Sequence, residues 1–376
     1  MTIETSEDSR FDNIRPYRDE EVPAAIERIM NDDLVVSKII NFQFKKLSFL
    51  SWLLKPIIKR ILRKKYGNIK TVAELQKYVA KFLDSMIKNN TDGVVFEGFE
   101  KLDPKEGYLF ISNHRDISLD PALVDLGLHR HNLPTVRIAI GDNLLRRQVA
   151  TDLMKLNQSF IVNRSAKGRE LLKALSDLSD YIRLSLKEKH SIWIAQREGR
   201  AKDGNDMTDP AILKMFYMVG KKLKIPFNEY VKELNIVPVA ISYEFDPGDA
   251  DKAHELYEKS KNGEYQKSEF EDIDSIVKGI SGYKGRIHIK VGNVIKENFE
   301  TPEELAGYID RYIHQNYHLF PSNLIAARSI GEGREAIINP EDEEKFNSRI
   351  NLVPIEEREF VKKYYAKPVS NAMKYN

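Results

Sequence analysis

Seven short apolar runs after residue 90 most constrain what this chain can fold into. They are Gly93–Phe96, Tyr108–Ser112, Val136–Ile140, Ser159–Val162, Ser191–Ala195, Ile236–Ser242 and Arg286–Val291. Helical patterns lie between several of them, notably at Ala166–Lys187 and Ala211–Lys222. Apolar strands that alternate with helices indicate an α/β domain. The sequence therefore predicts an α/β fold with a mixed, mostly parallel sheet flanked by helices.

The first 90 residues lack this alternation and predict helices instead. A short helix is expected over Glu20–Met30. A longer one is expected over Leu34–Tyr66, with Pro56 as a candidate restart because proline suits a first helical turn. A third helix is predicted from Thr71 to Ile87, where Thr71-Val72-Ala73-Glu74 has the capping-box pattern. These patterns predict a small helical unit at the N-terminus.

Changes in the pattern of apolar and charged residues along the chain predict three parts. They are a helical N-terminal region over 1–90, an α/β domain over 91–330 and a charged C-terminal extension over 331–376. Thr301-Pro302-Glu303-Glu304 opens a further helix with a cap and a proline at the first position. The tail past Ser329 predicts a short helical extension whose role the sequence does not indicate.

Composition excludes several classes of protein. The formal net charge of the 376 residues is only +2, so no overall field attracts nucleic acid. The absence of cysteine excludes disulfides, thiolate metal ligands and a cysteine nucleophile, and it fits a reducing cytosol. Met1–Asn13 is polar and acidic, unlike a signal peptide. The longest uncharged apolar candidate, Leu47–Leu54, is too short to span a bilayer.

A histidine follows the second apolar run. The stretch is Ser112-Asn113-His114-Arg115-Asp116-Ile117-Ser118-Leu119-Asp120-Pro121. In α/β folds chemistry commonly lies at strand ends, and imidazole can take a proton from a hydroxyl near neutral pH. A nearby carboxylate would hold the tautomer and stabilise the imidazolium. The substrate hydroxyl would then attack an acyl carbonyl without a covalent enzyme intermediate. Alternatively, His114 caps a turn and the aspartates begin the next helix.

A second stretch carries three cations after another strand. It reads Trp193-Ile194-Ala195-Gln196-Arg197-Glu198-Gly199-Arg200-Ala201-Lys202-Asp203-Gly204. Guanidinium groups bind phosphate oxygens in bidentate fashion, and glycines let backbone N–H groups approach closely. Glu198 would either bind substrate hydroxyls or hold the arginines in place. The alternative is a solvated charged loop.

Two further stretches complete a pattern. They are Phe160-Ile161-Val162-Asn163-Arg164 and Ile236-Val237-Pro238-Val239-Ala240-Ile241-Ser242-Tyr243-Glu244. By itself, Pro238 inside a strand predicts a sheet edge or a bulge. In this order and spacing, the four stretches resemble the sequence blocks of the glycerolipid acyltransferase family. The resemblance covers roughly 93–292, a little over half of the chain.

The first block departs from the family's pattern by one residue. The family has an aspartate after four intervening residues, where this chain has Leu119, and the nearest aspartates are Asp116 and Asp120. Both are candidates to orient His114. Asp120 is favoured because Asp120-Pro121 leads into the following helix. The third block usually begins with Phe-Pro-Glu-Gly, and Gln196-Arg197-Glu198-Gly199 stands in its place.

The resemblance implies an activity and a set of site residues. The chain would transfer a fatty acyl group from acyl-CoA or an acyl-carrier-protein thioester to glycerol-3-phosphate or lysophosphatidate in phospholipid biosynthesis, with no metal or other cofactor. His114 would be the general base, Asp120 its partner, and Pro238 part of the wall near the acyl group. The residues implied or expected to hold the glycerol phosphate are Arg164, Arg197, Glu198, Gly199, Arg200 and Lys202. An amino-acid-derived lipid acceptor stays open.

A basic amphipathic segment precedes the α/β domain. Its apolar stripe consists of Leu50, Leu53, Leu54, Ile57, Ile58, Ile61 and Leu62. Trp52 lies near its start, and its cations are Lys55, Lys59, Arg60, Arg63, Lys64 and Lys65. Such a helix suits an anionic lipid interface, where each basic residue contributes about 1 kcal/mol. Alternatively, the stripe packs on the core, or both roles share it. With a lipid product, we expect a cytoplasmic protein at the inner face of the membrane.

Two rival functions use the same residues. A metallophosphoesterase would use His114 and aspartates as metal ligands, but the other histidines form no ligand pattern. These are His129, His131, His190, His254, His288, His314 and His318. The second rival is a catalytically inactive membrane adaptor on the same fold, which the displaced aspartate favours. The retained His114 and Glu198 argue against it.

Overall fold

A computed structural model describes residues 4–43, 51–145, 147–268, 271–333 and 337–375. The chain divides into two compact units. The first comprises Met1–Phe82 and Arg137–Tyr181, and the second comprises Leu83–Val136 and Ile182–Asn376. The strands are β1 (Gly93–Glu97), β2 (Leu109–Ser112), β3 (Arg137–Gly141), β4 (Ser159–Val162), β5 (Ile192–Ala195), β6 (Ile236–Tyr243) and β7 (Arg286–Val291).

Helices account for most of the remaining regular structure. They are α1 (Val22–Asn31), α2 (Asp33–Gln43), α3 (Ser51–Tyr66), α4 (Val72–Asn90), α5 (Leu119–Arg130), α6 (Gln148–Leu156), α7 (Gly168–Lys187), α8 (Pro210–Lys222), α9 (Phe227–Glu233), α10 (Asp249–Asn262), α11 (Glu271–Ser281), α12 (Pro302–Asn316), α13 (Pro321–Ser329), α14 (Pro340–Asn351) and α15 (Arg358–Tyr375). Each predicted apolar run overlaps one of these strands, and the two predicted helical patterns overlap α7 and α8. The α/β class is confirmed.

The second unit contains a mixed, mostly parallel sheet, as predicted. Strand β7 is parallel to β1 and antiparallel to β6, while β2 is parallel to both β6 and β5. Helix α12 packs on β6. Leu109, Phe110 and Ile111 of β2 are fully buried. A strand covered on both faces needs apolar residues at successive positions, which explains why these strands were visible as continuous apolar runs.

Strand β6 corrects the interpretation of Pro238 as a sign of a sheet edge or a bulge. Pro238 is buried inside β6, in register with Ile111 of β2. The Gly292 N–H donates to the Pro238 carbonyl at 2.9 Å, just beyond the end of β7. Because the N and C=O of one strand residue point to the same side, the missing N–H of Pro238 faces the end of β7. The ladder to β2 is therefore preserved.

The first unit contains α1, α2, α3, the part of α4 up to Phe82 and the parallel strands β3 and β4. The long helix expected over 34–66 is present as α2 and α3, and residues 44–50 lie outside the described part of the chain. Pro56 lies inside α3 rather than at a new helix start. Helix α3 packs on α2 through Ile58, which contacts Val36 and Ile40.

The predicted helix starts are capped by the expected side chains. Thr71 Oγ1 accepts a hydrogen bond from the Glu74 N–H at 3.2 Å before α4. Thr301 Oγ1 does the same for the Glu304 N–H, also at 3.2 Å, before α12. Both caps satisfy a backbone donor that a helix start otherwise leaves without a partner.

The C-terminal extension forms α14 and α15 in the second unit. Helix α15 packs against α13, and its Val361, Tyr364, Tyr365 and Val369 are buried in one apolar cluster. The division of the chain into domains at 1–90, 91–330 and 331–376 stays a prediction. Among the described residues, no helix combines the length and the apolar character needed to cross a bilayer.

Candidate active site

The turn that carries His114 begins where β2 stops pairing with β6. The Asn113 side chain continues the ladder in place of the backbone: its Oδ1 accepts from the Ile241 N–H at 2.8 Å, and its Nδ2 donates to the Ile241 carbonyl at 2.9 Å. Both backbone groups of Ile241 are therefore satisfied although the backbone after β2 turns away. This arrangement brings His114 out at the carboxyl end of β2.

His114 forms a pair with Asp120 at the start of α5. His114 Nδ1 lies 2.8 Å from Asp120 Oδ2, the imidazole is 14% exposed, and the carboxylate is fully buried. A carboxylate on Nδ1 leaves Nε2 as the nitrogen that can accept a proton. The ring packs edge-on against Trp193, with centroids 5.7 Å apart. The structure thus presents an oriented imidazole beside a low-dielectric wall.

The Asp120 carboxylate is held by three further donors. Oδ2 accepts from the backbone N–H groups of Arg115 at 2.6 Å and Asp116 at 3.0 Å. Oδ1 accepts from the Tyr243 hydroxyl at 2.9 Å. Burial and the neighbouring Asp120 raise the pKa of Tyr243 well above its ordinary value, so the phenol keeps the proton that it donates. The carboxylate orientation is therefore fixed independently of His114.

Asp116, the other candidate partner, faces the first turn of α5. Its Oδ1 accepts from the N–H groups of Ser118 at 3.0 Å and Leu119 at 2.9 Å. Burial and the nearby Asp120 raise the pKa of Asp116. A Cβ at Gly279 would lie 2.3 Å from Asp116 Oδ2, so α11 approaches this carboxyl group closely. Of the two aspartates, Asp120 is the one that contacts His114.

The cationic loop after β5 is attached to the His114 turn. The Gln196 N–H donates to the Ser112 carbonyl at 2.8 Å, and the Ala201 N–H donates to the His114 carbonyl at 3.0 Å. These bonds attach both ends of the loop that carries Arg197, Glu198, Gly199 and Arg200 to the backbone of the His114 turn. Arg197, Glu198 and Gly199 are exposed, and Gly199 has a φ of +73° that favours glycine.

The two inner cations of this loop differ in their partners. Arg200 is half-buried, and its Nη2 donates to Ser275 Oγ of α11 at 3.4 Å. The Lys202 ammonium binds Glu255 of α10. Burial and the Arg200 charge lower the pKa of Lys202. Arg200 therefore presents its charge to a ligand more readily than Lys202, which already has a carboxylate partner.

Arg164, predicted from the second block, lies in the first unit. It follows β4, and its backbone N–H donates to Asp142 Oδ1 at 3.2 Å. A Cβ at Gly141 would lie 2.9 Å from the Arg164 guanidinium carbon. The expectation that Arg164 shares a phosphate site with Arg200 stays a prediction.

Several residues of the site were not assigned from the sequence. Tyr243 lies within the fourth block and Trp193 within the third, but no local pattern indicated that they contact Asp120 and His114. Arg115 is buried, and its guanidinium binds Asp206, which follows the cationic loop. No group of three or more potential metal-binding side chains occurs in the described ranges of the chain.

A family comparison decides the class of the domain. Residues 93–242, which include β1, β2, the His114 turn, the cationic loop and β6, match the family model described as Acyltransferase. These residues belong to the acyltransferase family. The predicted family and the predicted enzyme class are therefore confirmed, and the His114 turn and the cationic loop lie within the acyltransferase domain.

Comparisons with individual proteins add less. No curated protein matches the chain. Among solved structures, the chain is similar to the 1-acyl-sn-glycerophosphate (LPA) acyltransferase PlsC from Thermotoga maritima. The match covers 78% of this chain and 91% of that one, with 14% identity and a TM-score of 0.38. At this TM-score the structural similarity does not support assigning the substrate of that protein to this chain.

Proposed function

We propose that the acyltransferase domain esterifies a hydroxyl of a glycerol phosphate with a fatty acyl group from a thioester donor. The acceptor would be glycerol-3-phosphate or lysophosphatidate, and the donor acyl-CoA or acyl-carrier protein. The observation that carries the proposal is the hydrogen bond from the Ala201 N–H to the His114 carbonyl, which attaches the backbone next to Arg200 to the residue that provides the oriented base. A base next to an anion-binding group suits an acceptor that has both a hydroxyl and a phosphate.

His114 would act as the general base. Its Nε2 removes the proton of the acceptor hydroxyl as the oxygen attacks the thioester carbonyl. The buried Asp120 carboxylate, 2.8 Å from Nδ1, stabilises the imidazolium that forms. Collapse of the tetrahedral intermediate completes the new C–O bond and breaks the C–S bond, and the imidazolium returns its proton to the departing thiolate. This route needs neither a covalent enzyme intermediate nor a resident cofactor.

Arg200 would be the main phosphate ligand. It directly follows the exposed Arg197–Gly199 turn, and among the described residues its side chain donates one long hydrogen bond of 3.4 Å, to the neutral hydroxyl of Ser275. Arg197 would add charge from the exposed edge, and Glu198 and Gly199 would contact the glycerol. Lys202 would contribute through its field, because its ammonium binds Glu255. Arg164 as a further ligand and Pro238 as part of the acyl wall belong to the same proposal.

Substrate preference tests this assignment. Purified protein would receive glycerol-3-phosphate, lysophosphatidate, unphosphorylated monoacylglycerol and an N-acyl amino acid separately, with acyl-CoA and acyl-carrier-protein donors. We expect acylated product, detected by mass spectrometry, with a phosphorylated acceptor and none with monoacylglycerol. Product only from the amino-acid-derived acceptor would replace the proposed substrate. Absence of product with every pair would favour the membrane adaptor, which the oriented His114–Asp120 pair argues against.

Helix α3 would hold the protein against anionic lipid at the inner face of the membrane. Within α3, Ile58 is buried, whereas Ile57 and Ile61 are 54% and 52% exposed. Arg60 and Lys64 are exposed at helical spacing from this pair. The segment therefore divides between core packing and an exposed apolar face with cations. Of the predicted segment, Leu50 lies outside the described residues, and so do the side chains of Trp52 and Leu53.

Liposome binding tests the membrane assignment. Replacing Ile57 and Ile61 by Asn should weaken binding to vesicles that contain anionic lipid, and higher salt should weaken binding of the unaltered protein. The matched control replaces Leu352 and Ile355, which are 86% and 79% exposed in a loop, by Asn. Equal losses in both double variants, or undiminished binding to neutral vesicles in high salt, would contradict the role of α3.

A further inference from the structure

Helix α15 reaches the His114 turn through buried polar side chains. The helix lies outside residues 93–242, which match the family. Tyr364 on α15 is 4% exposed, and its hydroxyl donates to Asp246 Oδ2. The same hydroxyl accepts from Lys252 Nζ at 3.2 Å. A phenol that both donates and accepts in a buried site fixes the relative positions of its two partners.

Lys252 transmits this contact to the turn. Its side chain is 1% exposed, and its ammonium donates to Asp246, to the Tyr364 hydroxyl and to the Arg115 carbonyl, the last at 2.7 Å. An ammonium has three N–H donors, so these contacts use all of them. Arg115 directly follows His114, and its N–H binds Asp120 Oδ2 at 2.6 Å. The Arg115 residue is thus held at its N–H by Asp120 and at its C=O by Lys252.

The Arg115 side chain extends the contact to the region after the cationic loop. Its guanidinium lies 5.0 Å from the centre of the Tyr364 ring and 5.3 Å from that of Tyr317. It donates to the Gly204 carbonyl at 3.2 Å and to Asp206. A Cβ at Gly204, whose φ is +76°, would lie 2.3 Å from the Tyr364 carbonyl oxygen. Helix α15 therefore contacts the chain segment that follows Arg200.

We infer that Tyr364 is a positioning residue for the acyltransferase reaction, acting on His114 through Lys252 and the Arg115 carbonyl. The inference rests on the proposed role of His114 as the base. A hydrophobic side chain would fill the same space at lower desolvation cost than a buried ammonium and carboxylate. The charged Lys252 instead holds three parts of the chain in defined relative positions, because it donates to Asp246, to Tyr364 and to the Arg115 carbonyl. The C-terminal extension thereby becomes part of the active-site architecture.

Replacing Tyr364 by Phe removes the hydroxyl and keeps the ring over Arg115. The matched control is Tyr217→Phe, which removes a hydroxyl that donates to the Ile225 carbonyl at 2.8 Å between α8 and α9. Small displacements of catalytic groups reduce rates steeply, so we expect kcat to fall about 10-fold in Tyr364→Phe, with KM for the acceptor within about twofold. The control should retain kcat. Tyr364→Phe should also lower the urea midpoint, because a buried Lys252 N–H loses its acceptor, so kcat is measured under conditions in which both variants are fully folded.

A second measurement separates this inference from the proposed function. The NMR signal of the His114 Nδ1 proton reports the His114–Asp120 hydrogen bond whether or not a glycerol phosphate is the acceptor. We expect this signal to shift or broaden in Tyr364→Phe and to stay unchanged in Tyr217→Phe. An unchanged signal and kcat in Tyr364→Phe would overturn the inference. So would losses in the two variants that are equal and follow stability alone.

Discussion

Replacing Asp120 by Asn and by Ala separates the charge of this residue from its geometry. The Oδ2 atom accepts from His114, from the Arg115 N–H and from the Asp116 N–H, whereas Oδ1 accepts only from the Tyr243 hydroxyl among the described contacts. An Asn side chain can satisfy the three donors with its oxygen. Its NH2 then faces Tyr243, whose hydroxyl can rotate to accept. The amide therefore has one favourable orientation, and it keeps His114 in the same tautomer.

The expected magnitudes follow from this geometry. A hydrogen bond to a charged group contributes about 1.5–3 kcal/mol and a neutral one about 0.5–1.5 kcal/mol, so Asn should cost about 1.4 kcal/mol of transition-state stabilisation, or about 10-fold in kcat. Ala removes the whole contact and should cost about 10²-fold or more. It also leaves two backbone N–H groups without an acceptor, at about 1–3 kcal/mol each in the free energy of unfolding.

The assay is steady-state release of free thiol from acyl-CoA, with urea denaturation of each variant. The unaltered protein should have the highest kcat, the Asn variant a lower one and the Ala variant the lowest. Of the two variants, only Ala should lower the free energy of unfolding substantially. An Asn variant as inactive as Ala would refute the argument that the two backbone donors orient the amide. An Ala variant of full stability would refute the role assigned to these N–H groups.

Three further predictions concern single side chains. Arg200→Met should raise KM for a phosphorylated acceptor about 10–100-fold with a smaller change in kcat, as measured by acceptor titration. Tyr243→Phe should lower kcat about 3–10-fold, as measured by thiol release, because Asp120 Oδ1 loses its donor. Burial raises the pKa of Asp125 to about 7, so the stability linked to this carboxyl group is present at low pH and lost as the pH rises through about 7. In the unaltered protein, the free energy of unfolding should therefore fall by at most about 4 kcal/mol between about pH 4 and pH 8. Asp125→Asn keeps an acceptor for the Val136 N–H and should abolish this fall, as measured by urea titration at each pH.

The sequence predicted those features that depend on local pattern. The strands were visible because burial on both faces requires continuous apolar runs, as in Leu109–Ile111. The helix starts at Thr71 and Thr301 were visible because capping uses nearby residues. The position of His114 at a strand end followed from the run that precedes it.

Features that depend on register and long-range contacts were not predictable. Whether Pro238 marks an edge depends on which strands flank β6, and the local sequence does not contain that information. The Lys202–Glu255 contact joins residues 53 apart, and the Lys252–Arg115 contact joins residues 137 apart. The extra residue between His114 and Asp120 is accommodated by a turn whose backbone N–H groups bind the carboxylate, and only the three-dimensional arrangement distinguishes Asp120 from Asp116.

The most direct test of the central claim compares the protein with its His114→Ala variant. The measurement is release of free CoA from palmitoyl-CoA, with glycerol-3-phosphate and lysophosphatidate supplied separately. General base catalysis contributes about 10²–10⁴-fold. The unaltered protein should therefore turn over at least one acceptor, and His114→Ala should lose about 99% of that rate or more. Turnover that is equal in the two proteins would contradict the account, because the acyl transfer would then not depend on the imidazole.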